Sequence, residues 1–475
     1  MVTRILRIIG EPTGPVQRRK PPEPPPFDIP EQVKFEHTWV MAGSGAGKTT
    51  LLLHEIVENL KRPDPPAMVI LDPKGTVLPQ LSRLAAFEDN DRLVIIDPSD
   101  VAYPPAMNLF APGSEKRLRM YSEATRRQVE NQTISLFSYI FNSRRQSLTP
   151  KQATCFNYLA RLMFAIPQAN IHTMLDVLTD KPSRDHWQPF VTRLPETARR
   201  WFRDEYYEDK AAPYKSTKHE LATRIYGLLE KPELDACFSA VERKVDMFEL
   251  MQQRKTVIVN LPKALLGDEG MELFGRYIIA LTLAAAFERI SIDRKAWTPA
   301  FLIIDEAHEF ADEDKIPELL QLAREFRLGV YFVNQDIKSQ LKEALTSALA
   351  ANTSIKCISS LGGMDAGFMA REMNCQIEDV VKATKSGDSA RFLCHVRGKT
   401  STPVIRSFRL GAIETEPRMS EEAHQRLIER NRQRVAIGRA APQAQPRPEP
   451  KPAGPAPQQP STPPPHDPGE PSDTW

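Results

Sequence analysis

Short apolar runs that end in a polar residue recur along the chain, separated by stretches with helical periodicity. Met68 to Asp72 and Leu93 to Asp97 each close on Asp-Pro, and Thr256 to Asn260, Phe301 to Asp305, Gly329 to Val333 and Ser354 to Ser359 repeat the form. Continuous apolar runs of this length, closed by turn signals, predict strands buried on both faces of a parallel sheet. An earlier strand is predicted from Phe35 to Met41, followed by a glycine-rich turn and a helix from Lys48 to about Leu60. Strands alternating with helices give an α/β doubly wound sheet.

The strand pattern stops between about 114 and 240. Ser114 to Tyr139, Thr149 to Ala165, Asn170 to Leu178 and Lys218 to Glu230 read as helices, with Thr149-Pro150 as an N-cap and first helical position. An all-α insertion at 114–240 therefore divides the α/β domain into 35–113 and 241–412. Arg391 to Val396 and Val404 to Phe408 alternate like a terminal hairpin. A charged helix is predicted from Glu421 to Arg439, within a C-terminal segment at 413–440.

Composition qualifies this picture at the ends. Of 42 prolines in 475 residues, 8 lie in 11–30 and 13 in 441–475. Proline at that density excludes helices and central strands. A basic arm with a proline-rich linker (1–34) and a disordered proline-rich tail (441–475) are expected. Net charge is only +2, so nucleic-acid binding needs a local patch rather than bulk charge. One candidate is the helical insertion, with 20 basic against 13 acidic residues over 114–231. A solvated basic surface explains the same excess.

The five cysteines form no C-x-x-C pair and the nine histidines no H-x-x-x-H pair, so buried reduced thiols are expected and a zinc site is not. The most apolar run, Tyr277 to Phe287, is shorter than the roughly 20 residues of a membrane span. Arg4 and Arg7 interrupt the N-terminal apolar stretch, unlike a signal peptide. A cytoplasmic protein is expected, peripheral to the inner membrane if a partner holds it there.

Ala42-Gly43-Ser44-Gly45-Ala46-Gly47-Lys48-Thr49 matches the P-loop pattern, with Ala in place of the first Gly, between a predicted strand and a predicted helix. Small residues let backbone N–H groups curl around phosphate oxygens, and the helix N-terminus favours the same anion. Gly43 to Thr50 are the candidate nucleotide-binding residues. Lys48 is placed on the β- and γ-phosphates, and the Thr49 hydroxyl on Mg²⁺. ATP and Mg²⁺ are the implied ligands. Asp305 leaves a buried strand as a second metal ligand, and Glu306 follows it, placed to polarise the attacking water. Downstream, Arg324 and Arg327 lie three apart on one predicted helix, either an arginine finger for a neighbouring subunit or an ordinary exposed pair. Gln335 ends the next strand at the same sheet edge as Asp305, where it would sense the γ-phosphate or orient the water.

These motifs in this order resemble the HerA–FtsK superfamily of hexameric DNA-pumping ATPases. They are the P-loop, Asp72-Pro-Lys-Gly75, Asp97-Pro98 with Asn108-Leu109 downstream, a helical insertion, Ile303-Ile-Asp-Glu-Ala-His308, and helix-Arg to strand-Gln. The most similar branch is the TraG/TraD-like coupling ATPases of conjugation and type IV secretion. The resemblance covers about 35–412 and implies a RecA-like P-loop NTPase. Its Lys, Thr, Asp, Glu, finger Arg and sensor Gln fall on Lys48, Thr49, Asp305, Glu306, Arg324 and Gln335. It also implies a homo-hexamer, DNA as the moved partner, and membrane-bound secretion partners or a relaxase or nuclease. Only 34 residues precede the first predicted strand, with neither the transmembrane helices of membrane-bound coupling proteins nor the β-barrel of HerA-like helicases. A HerA-like helicase, a secretion-assembly ATPase moving protein and a nucleotide-gated scaffold stay open as alternatives.

Overall fold

A computed structural model describes residues 29–88, 90–111, 115–142, 147–207, 214–311 and 316–437. The expected arm and linker up to residue 28 and the proline-rich tail lie outside the described residues, so those expectations are neither met nor contradicted.

Nine strands form one sheet: β1 (Thr38–Ala42), β2 (Ala67–Asp72), β3 (Leu93–Ile96), β4 (Thr256–Asn260), β5 (Ala300–Ile304), β6 (Leu328–Asn334), β7 (Ile355–Ser359), β8 (Ser389–Val396) and β9 (Val404–Arg409). Their order is β3-β4-β2-β5-β6-β1-β7-β8-β9. The first seven pair in parallel, and β8 and β9 add an antiparallel hairpin to β7. The parallel strands are buried along nearly their whole length, which is why each reads as an unbroken apolar run.

Successive side chains alternate between two cores. Trp39, Met41, Val69, Leu71, Leu302 and Ile304 face a core shared with the helices between β3 and β4. Val40, Ala42, Met68, Ile70, Phe301 and Ile303 face the helices Lys48–Leu60 and Glu421–Val435. Every described element between β3 and β4 is helical. Asn108 fastens this segment at its root: its buried amide donates to the carbonyls of Ala169 (2.8 Å) and Val241 (2.7 Å) and accepts from Phe110 N–H. On the opposite side, the helix from Glu421 lays Asn431 against β3, where its amide exchanges two hydrogen bonds with Ile95 N–H (2.8 Å) and C=O (2.9 Å).

Several sequence expectations need correction. The first strand starts at Thr38, not Phe35, because Glu31–Lys34 forms a helical turn and His37 takes a left-handed backbone (φ 65°). The single helix expected from Ser114 to Tyr139 is three, Glu115–Met120, Glu123–Ser135 and Phe137–Phe141. Ser122 N-caps the second by accepting Thr125 N–H. Helices at Arg184–Val191, Glu196–Trp201 and Pro232–Phe238 went unread; they are short, and the first contains Pro189. The run Tyr277 to Phe287 lies inside a much longer helix, Lys263–Glu288, kinked at Gly267. Extended to Ser291, that helix is long and apolar enough for a membrane span, with mean hydropathy 1.4, but 89% of the apolar window is buried within the fold. Its place between the sheet and the helical segment accounts for the composition. Gly275 lets it approach Phe310: an added Cβ would stand 2.2 Å from that ring.

His37 ties β1 to its neighbours. Its Nε2 lies 2.7 Å from the carbonyl of Leu320, and its Nδ1 accepts Val330 N–H at 3.1 Å. Burial, with Arg324 nearby, outweighs the bond to Leu320 and the charge of Glu36, and lowers its pKa from 6.5 to about 4. The unfolded chain therefore binds the proton more readily between those values. The His37 contribution is complete above pH 6.5 and is lost as pH falls towards 4. In chemical denaturation, the wild-type chain should lose about 2–3 kcal/mol more than His37→Asn between pH 7 and 4.5. Equal losses in the two proteins would remove His37 as the source.

Candidate functional site: a charged cluster at the P-loop

Strand register brings the candidate residues together. Leu71 of β2 pairs with Ile304 of β5, and Ile304 with Phe332 of β6. Asn334 of β6 pairs with Met41 of β1. Asp72, Asp305, Gln335 and Gly43 therefore leave four neighbouring strands at one carboxyl edge. The chain runs from β1 towards β2 on one side, while β7 lies on the other. Open α/β sheets bind ligands at such a switch point.

The loop from Gly43 to Gly47 is built to bring backbone close. Gly43 N–H bonds to the Ser359 carbonyl at 3.2 Å, and a Cβ there would lie 2.8 Å from Ser360 O. Gly47 has φ 98°, and a Cβ would lie 2.4 Å from that of Ala390. Gly45 also has positive φ, Ala46 is buried, and Ser44 faces outward. No side chain caps the helix Lys48–Leu60, and its first turn carries no acid, so its leading N–H groups are left for an anion. Thr49 and Thr50 are half-buried on that turn. Lys48 is 7% exposed and donates to Ala42 O at 2.9 Å. Burial lowers its pKa, against the pull of Glu306.

Asp305 is 2% exposed, and its Oδ1 accepts Glu306 N–H at 3.0 Å. Burial raises its pKa to about 6, against the opposing charge of Lys74. A carboxylate desolvated this far gains from a cation. Among the described residues, no group of three or more His, Cys, Asp or Glu is arranged to hold a metal. The donor set of Asp305 and Thr49 beside a phosphate cradle fits Mg²⁺, which takes few protein ligands and completes its shell with phosphate oxygens and water. Glu306 has a left-handed backbone (φ 47°), a costly conformation for a non-glycine residue. Its Oε1 accepts from Lys74 Nζ and from Gln335 Nε2, the latter at 2.9 Å. Burial raises its pKa, but these donors outweigh burial and hold it below the usual value. Its Oε2 is buried, 3.5 Å from His308 Nδ1, with no hydrogen-bond partner among the described residues. A water bound there would satisfy that oxygen.

Gln335 thus joins Lys48, Asp305 and Glu306, while Arg324 does not. Arg324 ends the helix Ile316–Glu325, ahead of β6, with its side chain 58% exposed, and donates to Glu36 Oε1 at 3.1 Å. The other oxygen of Glu36 accepts Ser354 Oγ–H at 2.6 Å. Glu36, Ser354 and Arg324 all precede parallel strands, at the amino edge of the sheet. Five residues of β1 separate that edge from the P-loop, about 16 Å of strand. Arg327, the alternative finger, lies over the Phe35 ring at 5.4 Å, and its carbonyl accepts from Arg289.

Sequence reasoning placed Lys74 only in a turn and gave no role to His308, whose ring lies beside Glu306. It also missed a cavity of about 180 Å³ beside the P-loop helix, lined by Thr49, Thr50, His54, Arg409, Gly411 and Glu414. The Asp-Pro-Lys-Gly turn marked Lys74; nothing local marked the cavity, because β9 and the turn after it reach it only in the folded chain. Of the two Asp-Pro turns, Asp72 accepts three backbone N–H groups, and Asp97 accepts from Ser99 and Asn260.

No family model matches the sequence, and no curated protein matches it. Solved structures do match. The unbound monoclinic form of the bacterial conjugative coupling protein TrwBΔN70 superposes with TM-score 0.54 at 12% identity, covering 82% of this chain and 88% of that one. The plasmid coupling protein TrwB in complex with ADP and Mg²⁺ gives TM-score 0.53 at 14% identity, covering 82% and 89%. The chain therefore has a RecA-like P-loop NTPase fold, shared with TrwB over most of both chains.

Proposed function

We propose that the chain is an ATP hydrolase that drives DNA through a homo-hexameric ring, as the coupling motor of a conjugation or type IV secretion-like system. The observation that carries this reading is the convergence of Lys48, Asp305, Glu306 and Gln335 on one sheet edge, while Arg324 lies at the other. The fold shared with a conjugative coupling protein supports the system. The basic excess of the helical segment supports a polyanionic partner. Its place is in the cytoplasm, at the inner membrane through secretion partners, with a relaxase or nuclease supplying the DNA end.

Each residue has a task that follows from its position. The loop N–H groups of Ser44, Gly45 and Gly47 and the first turn through Thr50 bind phosphate oxygens, while Gly43 and Ala46 N–H brace the loop from within the chain. Lys48 leaves Ala42 O for the β- and γ-phosphates, where its charge is worth more than on a neutral carbonyl. Thr49 and Asp305 would hold Mg²⁺, which would supply positive charge against the phosphates. Glu306 accepts a proton from the attacking water, and Gln335 fixes the carboxylate that does so. Arg324 supplies positive charge to the site of an adjacent subunit, because its own site is out of reach.

Nucleotide titration and steady-state hydrolysis test the cis residues. Lys48→Ala should lose nucleotide binding; wild-type turnover in that variant would sink the P-loop assignment. Glu306→Gln should still bind ATP and hydrolyse it about 10²–10⁴-fold more slowly. Turnover should rise when DNA is added, and turnover indifferent to single- and double-stranded DNA would refute the DNA motor.

Mixed rings test Arg324. Arg324→Ala alone should cost about 10³–10⁵ in rate. Mixing it with Glu306→Gln subunits should partly restore hydrolysis, since one junction then holds Lys48, Glu306 and Arg324 intact. Full activity in a proven monomer would rule out a finger in trans.

A further inference from the structure

Lys74 is placed by a rigid turn and tethered only at its tip. Asp72 is fully buried, and its carboxylate accepts the N–H groups of Thr76 (3.1 Å), Val77 (2.7 Å) and Leu78 (3.0 Å). Gly75, at φ 66°, closes the turn by donating to Asp72 O. The backbone of Lys74 is thereby fixed at the carboxyl end of β2. Its side chain is 42% exposed, with four rotatable bonds and an ammonium on Glu306 Oε1. Burial is the largest single influence and works against that charge, but the bond to Glu306 and the charges of Asp305, Glu306 and Asp72 together outweigh it and raise its pKa.

Two positive and two negative side chains meet at this sheet edge. Lys48 feels Glu306, Lys74 and Asp305, Asp305 feels both lysines and Glu306, and Lys74 works against the charge of Lys48. Lys74 thus sits between two competitors, a carboxylate of charge −1 and whatever anion Lys48 draws in. A terminal phosphate carries about −1.5 to −2 near neutral pH and offers three acceptor oxygens. It outbids a single carboxylate oxygen for an ammonium within reach. A diphosphate places no such group beyond the β position.

Resting on the ATP-hydrolase reading, we propose that Lys74 is a positioning residue that distinguishes triphosphate from diphosphate. It moves from Glu306 Oε1 to the terminal phosphate of a nucleoside triphosphate and so restores to the Glu306 carboxylate the charge with which it draws a proton from water bound at Oε2. With a diphosphate, Lys74 stays on Oε1 and the carboxylate stays neutralised. Gln335, the second donor to Glu306 Oε1, keeps the carboxylate oriented after Lys74 leaves.

The test is equilibrium binding, in Mg²⁺, of a non-hydrolysable ATP analogue and of ADP to the full chain and its variants. Lys74→Met should weaken the analogue about 10-fold or more while leaving ADP within about 2-fold, since a charge-assisted bond to phosphate is lost for one ligand only. Lys74→Arg should recover part of the discrimination. Glu306→Gln should tighten the analogue in the wild-type background by more than it does with Lys74→Met, because only there does it release a lysine. Equal weakening of both nucleotides by Lys74→Met, or unchanged discrimination, overturns the proposal. A wild-type chain that binds neither nucleotide overturns the ATP-hydrolase reading itself, and this proposal with it.

Discussion

Parallel pairing in fixed register makes the site. Leu71, Ile304 and Phe332 lie side by side across β2, β5 and β6, and Met41 of β1 pairs two residues further along β6. A strand shifted by one residue would turn Asp305 from the edge into one of the cores, because side-chain direction alternates at every position. Burial of both faces prevents that slip. The same apolar runs that stabilise the sheet thus aim Lys48, Asp305, Glu306 and Gln335 at a common point. Desolvation then couples them: Asp305 is pushed to about 6, while Glu306 is held down by its donors. Removing one member leaves another buried and uncompensated, which costs more than the pair contributes.

The parallel core was legible because both faces are buried. Thr256–Asn260 and Lys48–Leu60 fall where their sequence signals place them, since an unbroken β-branched run and a glycine turn before a helical period are local properties. Phe35 to His37 misled for the opposite reason. Phe35 is apolar because it stacks on Phe301, and His37 adopts positive φ because Leu320 and Val330 hold its ring; both causes are distant in sequence. In the helical segment, aromatic packing such as Tyr158 on Trp201 stabilises helices too short to show a period. At the site, residue types marked Lys48, Thr49 and Asp305 as candidates for phosphate and metal, and the strand register brings Lys48 and Asp305 to one edge. The ion pair joining Lys74 to Glu306 needed two turns more than 200 residues apart to meet.

The helical segment and the sheet are not built as separate bodies. Trp39 and Val69 of the sheet belong to the same apolar cluster as Phe156 and Leu175 of the segment. Arg276, on the long helix between them, is buried and bonds to the carbonyls of Tyr139 and Ala311. Tyr139 in turn donates to Phe310 O, at the end of the turn that carries Glu306 and His308. A continuous set of packed groups and hydrogen bonds therefore runs from the segment to the turn that carries Glu306. Such contact is a physical route for mechanical coupling.

The Asn431 contact with Ile95 reaches beyond local stability. β3 is an outer strand of the sheet, and its free N–H and C=O groups would otherwise present a template for a strand from another chain. The side-chain amide of Asn431 imitates a peptide group and occupies both at the centre of β3. Copies of the chain are thereby denied continuous sheet pairing along that margin. Any contact another chain makes there is left to side chains, which can slide and re-form, whereas a sheet extended from chain to chain would lock them together.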